Sequence, residues 1–153
     1  MLAYYNDPGV RTLLNREAIF EIKSGMKLSA FDLASASVVR SQWYQALCRL
    51  FERCDYLVVP TAQLFPFEIE MSWPQEIAGR RMETYHEWMK AACLISMSGC
   101  PALAVPAGFS GEGLPIGIQI VAPNRREVSC LQFAHAYQLA TDWTHRQLPP
   151  LLL

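Results

Sequence analysis

At 153 residues the chain has the length of one domain and enough material to bury a core. Its formal charge is −1, from 13 basic and 14 acidic residues, which argues against a nucleic-acid partner, and no apolar run reaches the length of a membrane span. Apolar residues make up 52% and charged ones only 18%, against roughly 25% in an average domain, which fits either a compact core or a face made to lie against something else.

Asp7 followed by Pro8 predicts a helix start, and Gly25 a stop, with Leu13, Leu14, Ile19, Phe20 and Ile22 between them. A second helix opens at Ser29, where Asp32 stands in for the glutamate of a capping box. Val39, Trp43, Ala46, Leu47, Leu50 and Cys54 then recur at three- and four-residue spacing, predicting one buried stripe that ends near Asp55. The run from Tyr56 through Leu57, Val58, Val59 and Pro60 to Thr61 is short and almost wholly apolar, as in a strand covered on both faces. Residues 62–81 are irregular and interleave Phe65, Phe67, Met71 and Trp73 with Pro66 and Pro74. Loops without function tend to be polar, so these aromatics either pack over the core or line a ligand site.

Residues 82–98 read as a helix that is apolar all round from Trp88 onward, and therefore as deeply buried; Gly99 and Pro101 end it. Two β-prone runs follow, 102–109 and 114–121, joined by Ser110-Gly111-Glu112-Gly113 as a hairpin. Pro106 cannot donate to a strand ladder, so it is expected at a bulge or an unpaired edge. Asn124 is expected to cap the last helix with Glu127 reaching back, and Leu131, Ala134 and Tyr137 to form its buried face. Trp143 and Pro149-Pro150 with three leucines close the chain.

This order describes an α/β fold: two N-terminal helices, then a small mixed sheet of about three strands, one hairpin among them, packed with helices. A parallel strand pair would need the 82–98 helix as its crossover. Three strands are few for a sheet covered on both sides, which points to a sheet continued elsewhere. The five cysteines (Cys48, Cys54, Cys93, Cys100, Cys130) are odd in number and form no C-x-x-C pair. With no leading apolar run to act as a secretory signal, they are expected to be reduced thiols of a cytoplasmic protein.

Two stretches carry a family resemblance. Gly99-Cys100-Pro101-Ala102-Leu103-Ala104-Val105-Pro106-Ala107-Gly108-Phe109, followed by Gly113-Leu114-Pro115-Ile116-Gly117-Ile118-Gln119-Ile120-Val121, resembles the glycine- and proline-marked signature near the C-terminus of amidase-signature enzymes. Upstream, Asp55-Tyr56-Leu57-Val58-Val59-Pro60-Thr61 is similar to the family's strand ending in proline-threonine, and Leu28-Ser29-Ala30-Phe31-Asp32 with Arg40 to the helix before it. The matches come in the family's order over residues 25–142, and residues 1–24 add little. The resemblance implies a single domain over 1–153 that forms the C-terminal portion of an amidase fold.

Members of that family cleave or transfer amide bonds with a serine nucleophile, a second serine held by a cis peptide and an upstream lysine, in a glycine- and serine-rich setting. This sequence has no such run, and Lys23, Lys27 and Lys90 stand in no matching context. No catalytic residue is therefore assigned, and no cofactor or metal is expected. Ser96 and Ser98 are read as packing or capping residues and Cys100 as a small apolar residue of the core. A separate Cys/His site built on His86, His135 or His145 is disfavoured, and no ligand pair has zinc-finger spacing.

Ligands of open α/β sheets gather beyond the carboxyl ends of strands. Thr61, Phe65, Trp73, Tyr85 and Trp88 are accordingly the substrate-pocket candidates, with plain core packing as the competing reading. Two functions follow. One is an amidase-family C–N hydrolase segment, inactive alone, whose partner is the missing catalytic half. The other is a non-catalytic binding module that forms a homo-oligomer through its apolar face. Neither involves nucleic acid or a membrane.

Overall fold

The computed structural model describes residues 2–148. In chain order the elements are α1 (Leu2–Asn6), α2 (Pro8–Arg11), α3 (Arg16–Gly25), α4 (Ala30–Phe51), β1 (Leu57–Pro60), β2 (Glu76–Ile77), β3 (Arg80–Arg81), α5 (Tyr85–Trp88), α6 (Lys90–Ser98), β4 (Ala102–Phe109), β5 (Pro115–Val121), α7 (Glu127–Thr141) and α8 (Trp143–Arg146). The closing prolines and leucines of the sequence lie outside the described residues. Two compact units divide between Gln42 and Trp43, within α4.

In the first unit the single helix expected between Asp7 and Gly25 is broken. Asp7 caps α2, accepting the N–H groups of Gly9 and Val10 at 2.9 and 3.3 Å. Asn15 then opens α3 by accepting from Ala18 N–H at 2.8 Å. Two short polar side chains that each bind the local backbone end one helix and begin another. The capping box of α4 forms as expected: Asp32 accepts from the backbone N–H of Ser29 at 2.8 Å and returns its own N–H to the Ser29 hydroxyl at 3.2 Å. The hydrogen bonds from Ser29, its backbone N–H foremost, hold the Asp32 carboxyl below the usual range.

The buried stripe on α4 starts one turn later than its periodicity suggests, in the part of the helix that belongs to the second unit. Leu47 is buried, Trp43 and Leu50 are half-buried, and Val39 is exposed. The Trp43 indole N–H donates to the Leu94 carbonyl at 2.9 Å.

The three-stranded sheet has the order β1-β5-β4, antiparallel on both sides of β5. The parallel pair considered from the sequence does not form. β1 and β4 run the same way, but the hairpin places β5 between them, because a short glycine turn closes β4 on β5 locally. β1 also departs from expectation. It alternates between half-buried and exposed, with Val58 open to solvent, and so is not covered on both faces.

Pro106 sits at a bulge, as its missing N–H requires: it pairs with Gly117, the next pair is Gly108 with Ile116, and Ala107 is the extra residue. Gly117 permits a close approach, since a Cβ there would lie 3.0 Å from the Val105 carbonyl oxygen and 3.1 Å from the Thr61 hydroxyl.

The core lies between the hairpin and α7 and contains Val105, Ile120, Ala122, Cys130 and Ala134, with Tyr56, Leu103, Ile118 and Tyr137 against it. Tyr56 stacks on Phe133 with centroids 4.5 Å apart, and its hydroxyl meets the Ser129 hydroxyl at 2.6 Å. Burial pushes the Cys130 thiol up, and its S–H donates to the Ile120 carbonyl at 3.2 Å.

Two expectations for α7 are corrected. Asn124 does not cap it: its amide donates instead to the Gly99 carbonyl at 3.3 Å, beside the left-handed end of α6, and Arg126 holds the cap position without a side-chain bond. Of the expected face of α7, Ala134 is buried and Tyr137 packs against the core, but Cys130 takes the place of Leu131, which turns out to solvent at 55% exposure. One residue of helix is a rotation of about 100°, enough to carry Leu131 off the core.

The 82–98 helix is likewise two helices, α5 and α6, interrupted at Met89 (φ −97°, ψ 12°). It is not deeply buried. Ile95 and Ser98 are covered, whereas Leu94 and Met97 are 44% and 51% exposed. Before it, β2 and β3 form a small hairpin that the sequence concealed, because Ala78 occupies a left-handed turn position (φ 51°) next to Gly79.

Candidate functional site

The chain leaving β1 is pinned to β5. The backbone N–H and the hydroxyl of Thr61 both donate to the Gly117 carbonyl, at 3.0 and 2.8 Å. The Gln119 amide donates to the Pro60 carbonyl at 3.1 Å. From this anchor residues 62–67 arch over the start of the hairpin, and Gln63 ties the arch to α6 by accepting from Ala91 N–H at 3.2 Å.

Beneath the arch lies a cleft of about 550 Å³, a size that suits a small organic ligand. Thr61, Ala62, Leu64, Phe65, Pro66 and Phe67 form one wall, Trp88 of α5 another. The floor comes from the two strands, Ala104 to Pro106 on β4 and Pro115 to Gly117 on β5. Phe67 and Trp88 meet edge to face at 5.5 Å between centroids. The Trp88 indole nitrogen is buried and finds no hydrogen-bond partner among the described residues.

Three of the five sequence candidates, Thr61, Phe65 and Trp88, therefore come together. Tyr85 supports from behind, edge-on to Trp88 at 6.1 Å, and is not among the lining residues. Trp73 lies outside the cleft, half-buried in the loop, where its carbonyl accepts from the Gln75 amide at 3.1 Å. Sequence reasoning missed the floor, having named no residue of the hairpin as a pocket candidate. The bulge required at Pro106 was the available signal, since bulges often lie next to sites.

The lining offers one hydroxyl, that of Thr61, already donated to Gly117, and no thiol, imidazole, amine or carboxylate. Such a surface suits an apolar group of a ligand. Ser98 of α6, which is not among the lining residues, acts on the backbone. It is buried, donates to the Ile95 carbonyl at 2.5 Å and accepts from Cys100 N–H at 3.1 Å, the capping role expected of it. His145 pairs with Asp142 at 2.6 Å near α8 and is not part of the lining. No helix of the described residues is long and apolar enough to cross a membrane.

Known proteins agree with this architecture. A family model described as Amidase matches residues 5–131. The A subunit of the glutamyl-tRNA(Gln) amidotransferase of Dehalococcoides mccartyi (strain ATCC BAA-2266 / KCTC 15142 / 195) is 34% identical over 119 residues, 76% of this chain and 22% of that relative. Its counterpart in Ralstonia pickettii (strain 12J) is 54% identical over a shorter stretch of 52 residues, 34% of this chain and 10% of the relative. A solved bacterial aryl acylamidase belonging to the amidase signature enzymes shares the fold, with a TM-score of 0.80 at 22% identity over 90% of this chain and 28% of that one. The chain thus spans less than a third of the length of these relatives. With the ordered strand and hairpin motifs of the sequence now seen to build one sheet and its bulge, the chain belongs to the amidase family.

Proposed function

We propose that the chain works as the C-terminal portion of an amidase-family C–N bond hydrolase, supplying scaffold and the apolar cleft that receives the acyl or leaving group of an amide. The composition of the cleft carries this reading: a ligand-sized apolar space with aromatic walls and no group able to act as nucleophile or base. The serine and lysine of the reaction come from a further stretch of amidase chain, on the same polypeptide or a separate one, and that stretch is the partner. On its own the chain has no amidase activity. The free thiols of all five cysteines support a reducing, cytoplasmic setting.

The test is reconstitution. The chain alone, and the chain mixed with the serine- and lysine-bearing portion of a related amidotransferase, are assayed against a panel of aryl and alkyl amides. The mixture is expected to hydrolyse amides and the chain alone to release nothing. Trp88→Ala in the active mixture should alter the preference between aryl and alkyl substrates, with thermal melts confirming equal folding. Turnover by the chain alone, or an unaltered substrate profile in the variant, would sink the proposal. Exposed Val58, Leu94 and Met97 also suit a second copy of the chain as the covering partner. A stable dimer that stays inactive with the catalytic portion supplied would favour the non-catalytic module.

A further inference from the structure

A second cavity of about 330 Å³ lies on the other side of the 62–67 arch and of α5. The two segments divide their residues between the spaces: Leu64 and Trp88 line the apolar cleft, Gln63 and Glu87 this one. Its character is different. Arg80 from β3 and Lys90 at the start of α6, both exposed, bring two basic side chains to it, and His86 borders it. Met82, Leu94 and Met97 give an apolar side, of which Met82 is buried and the other two are open to solvent. Glu87 is the one carboxylate in the lining, and it is engaged in accepting the Glu83 N–H at 2.8 Å.

We infer that this cavity binds a small monocarboxylate carrying a short apolar tail. Two basic side chains against one carboxylate leave the rim of the cavity one positive charge in excess. A monoanion balances it, whereas a phosphate dianion would face the Glu87 carboxylate with a charge to spare. The planar fork of Arg80 suits a carboxylate held by two parallel hydrogen bonds, and Lys90 adds a point charge. The tail then lies on the methionine and leucine side, whose flexible thioethers adapt to chains of different shape. The Ala91 N–H in the first turn of α6 is already bound by Gln63, so the site is built on side chains. Amide hydrolysis yields carboxylates, but this site stands on its own residues and does not require the reading of the apolar cleft to hold.

The experiment titrates the chain with pentanoate, with its neutral isostere pentanamide and with inorganic phosphate, following the methyl resonances of Met82 and Met97. Pentanoate should shift both in a saturable way, and pentanamide should bind at least roughly tenfold more weakly, the loss expected from removing a charge-assisted hydrogen bond. Arg80→Gln and Lys90→Gln should each weaken pentanoate by a similar factor, with the remaining methyl spectrum unchanged as proof of folding. Equal binding of the amide, or phosphate competing as well as pentanoate, would overturn the inference. So would the absence of saturable shifts at the two methionines. The comparison of acid with amide uses the unaltered chain, so the result stands even if a variant fails to fold.

Discussion

The hairpin with α7 and the segment from Thr61 to Trp88 belong to the same compact unit but solve opposite problems. In the hairpin layer Ile120, Val121 and Ala122 are completely shielded, and the polar atoms beside them are paired: the Cys130 thiol with a carbonyl, the Tyr56 hydroxyl with Ser129. In the 61–88 segment the apolar side chains line a space and do not fill one, and the Trp88 indole nitrogen is buried without a partner among the described residues. The first region spends its hydrophobic residues on stability, the second on a surface for a ligand. Thr61 and Gly117 join the two, because the bond that anchors the arch also fixes the spacing of the floor.

If that contrast holds, the largest effect belongs to the hairpin. Ile120→Ala removes a side chain with 0% exposure from the centre of the core, and chemical denaturation should show a loss of about 2–5 kcal/mol. A loss well under 1 kcal/mol would mean that the layer is loosely packed and the comparison false. Gly117→Ala comes next. Its new Cβ would press on the Val105 carbonyl oxygen at 3.0 Å and on Thr61, and backbone cannot swing aside as the end of a long side chain can. A cost of about 1–3 kcal/mol is expected, together with weaker binding of apolar ligands, because the arch must lift off the floor. Lost stability with unchanged ligand affinity would show that arch and floor are not coupled through this contact.

The two regions also differed in how plainly the sequence announced them. The hairpin was legible because local chemistry dictates it: Gly113 takes a positive φ in the turn, Pro106 forces the bulge, and the runs around them alternate as strands do. The capping box at Ser29 and Asp32 was readable for the same reason. Where the outcome depended on which surface meets which, the sequence said less. The face of α7 was misread by one residue, since the apolar residues around Cys130 and Leu131 allow either rotation. The apolar girth of residues 88–97 suggested burial that the fold does not provide, since Leu94 and Met97 stand exposed. The cleft was half legible. Aromatics in a proline-marked loop pointed to Phe65, and the opening of the next helix to Trp88, but the floor is made by strands whose pattern signals only a sheet, and Trp73 shares the loop's composition without sharing the site.

Trp88→Phe should have the smallest effect, and it tests the contrast from the side of the cleft. In the hairpin layer, deleting a paired polar atom strands its partner, so a cost is certain. At Trp88 the indole N–H has no partner to strand, and its burial already costs the folded state about 1–3 kcal/mol. Phenylalanine removes that penalty and keeps a ring against Phe67, while giving up part of the indole's apolar area, worth about 1–2 kcal/mol. The two nearly cancel, so the unfolding free energy should change by less than about 1 kcal/mol while affinity for ligands in the cleft shifts measurably. A loss comparable to that at Ile120 would show Trp88 to be a core residue like those of the hairpin layer. A tryptophan tolerated for its ring but costly for its N–H belongs to a wall kept for binding.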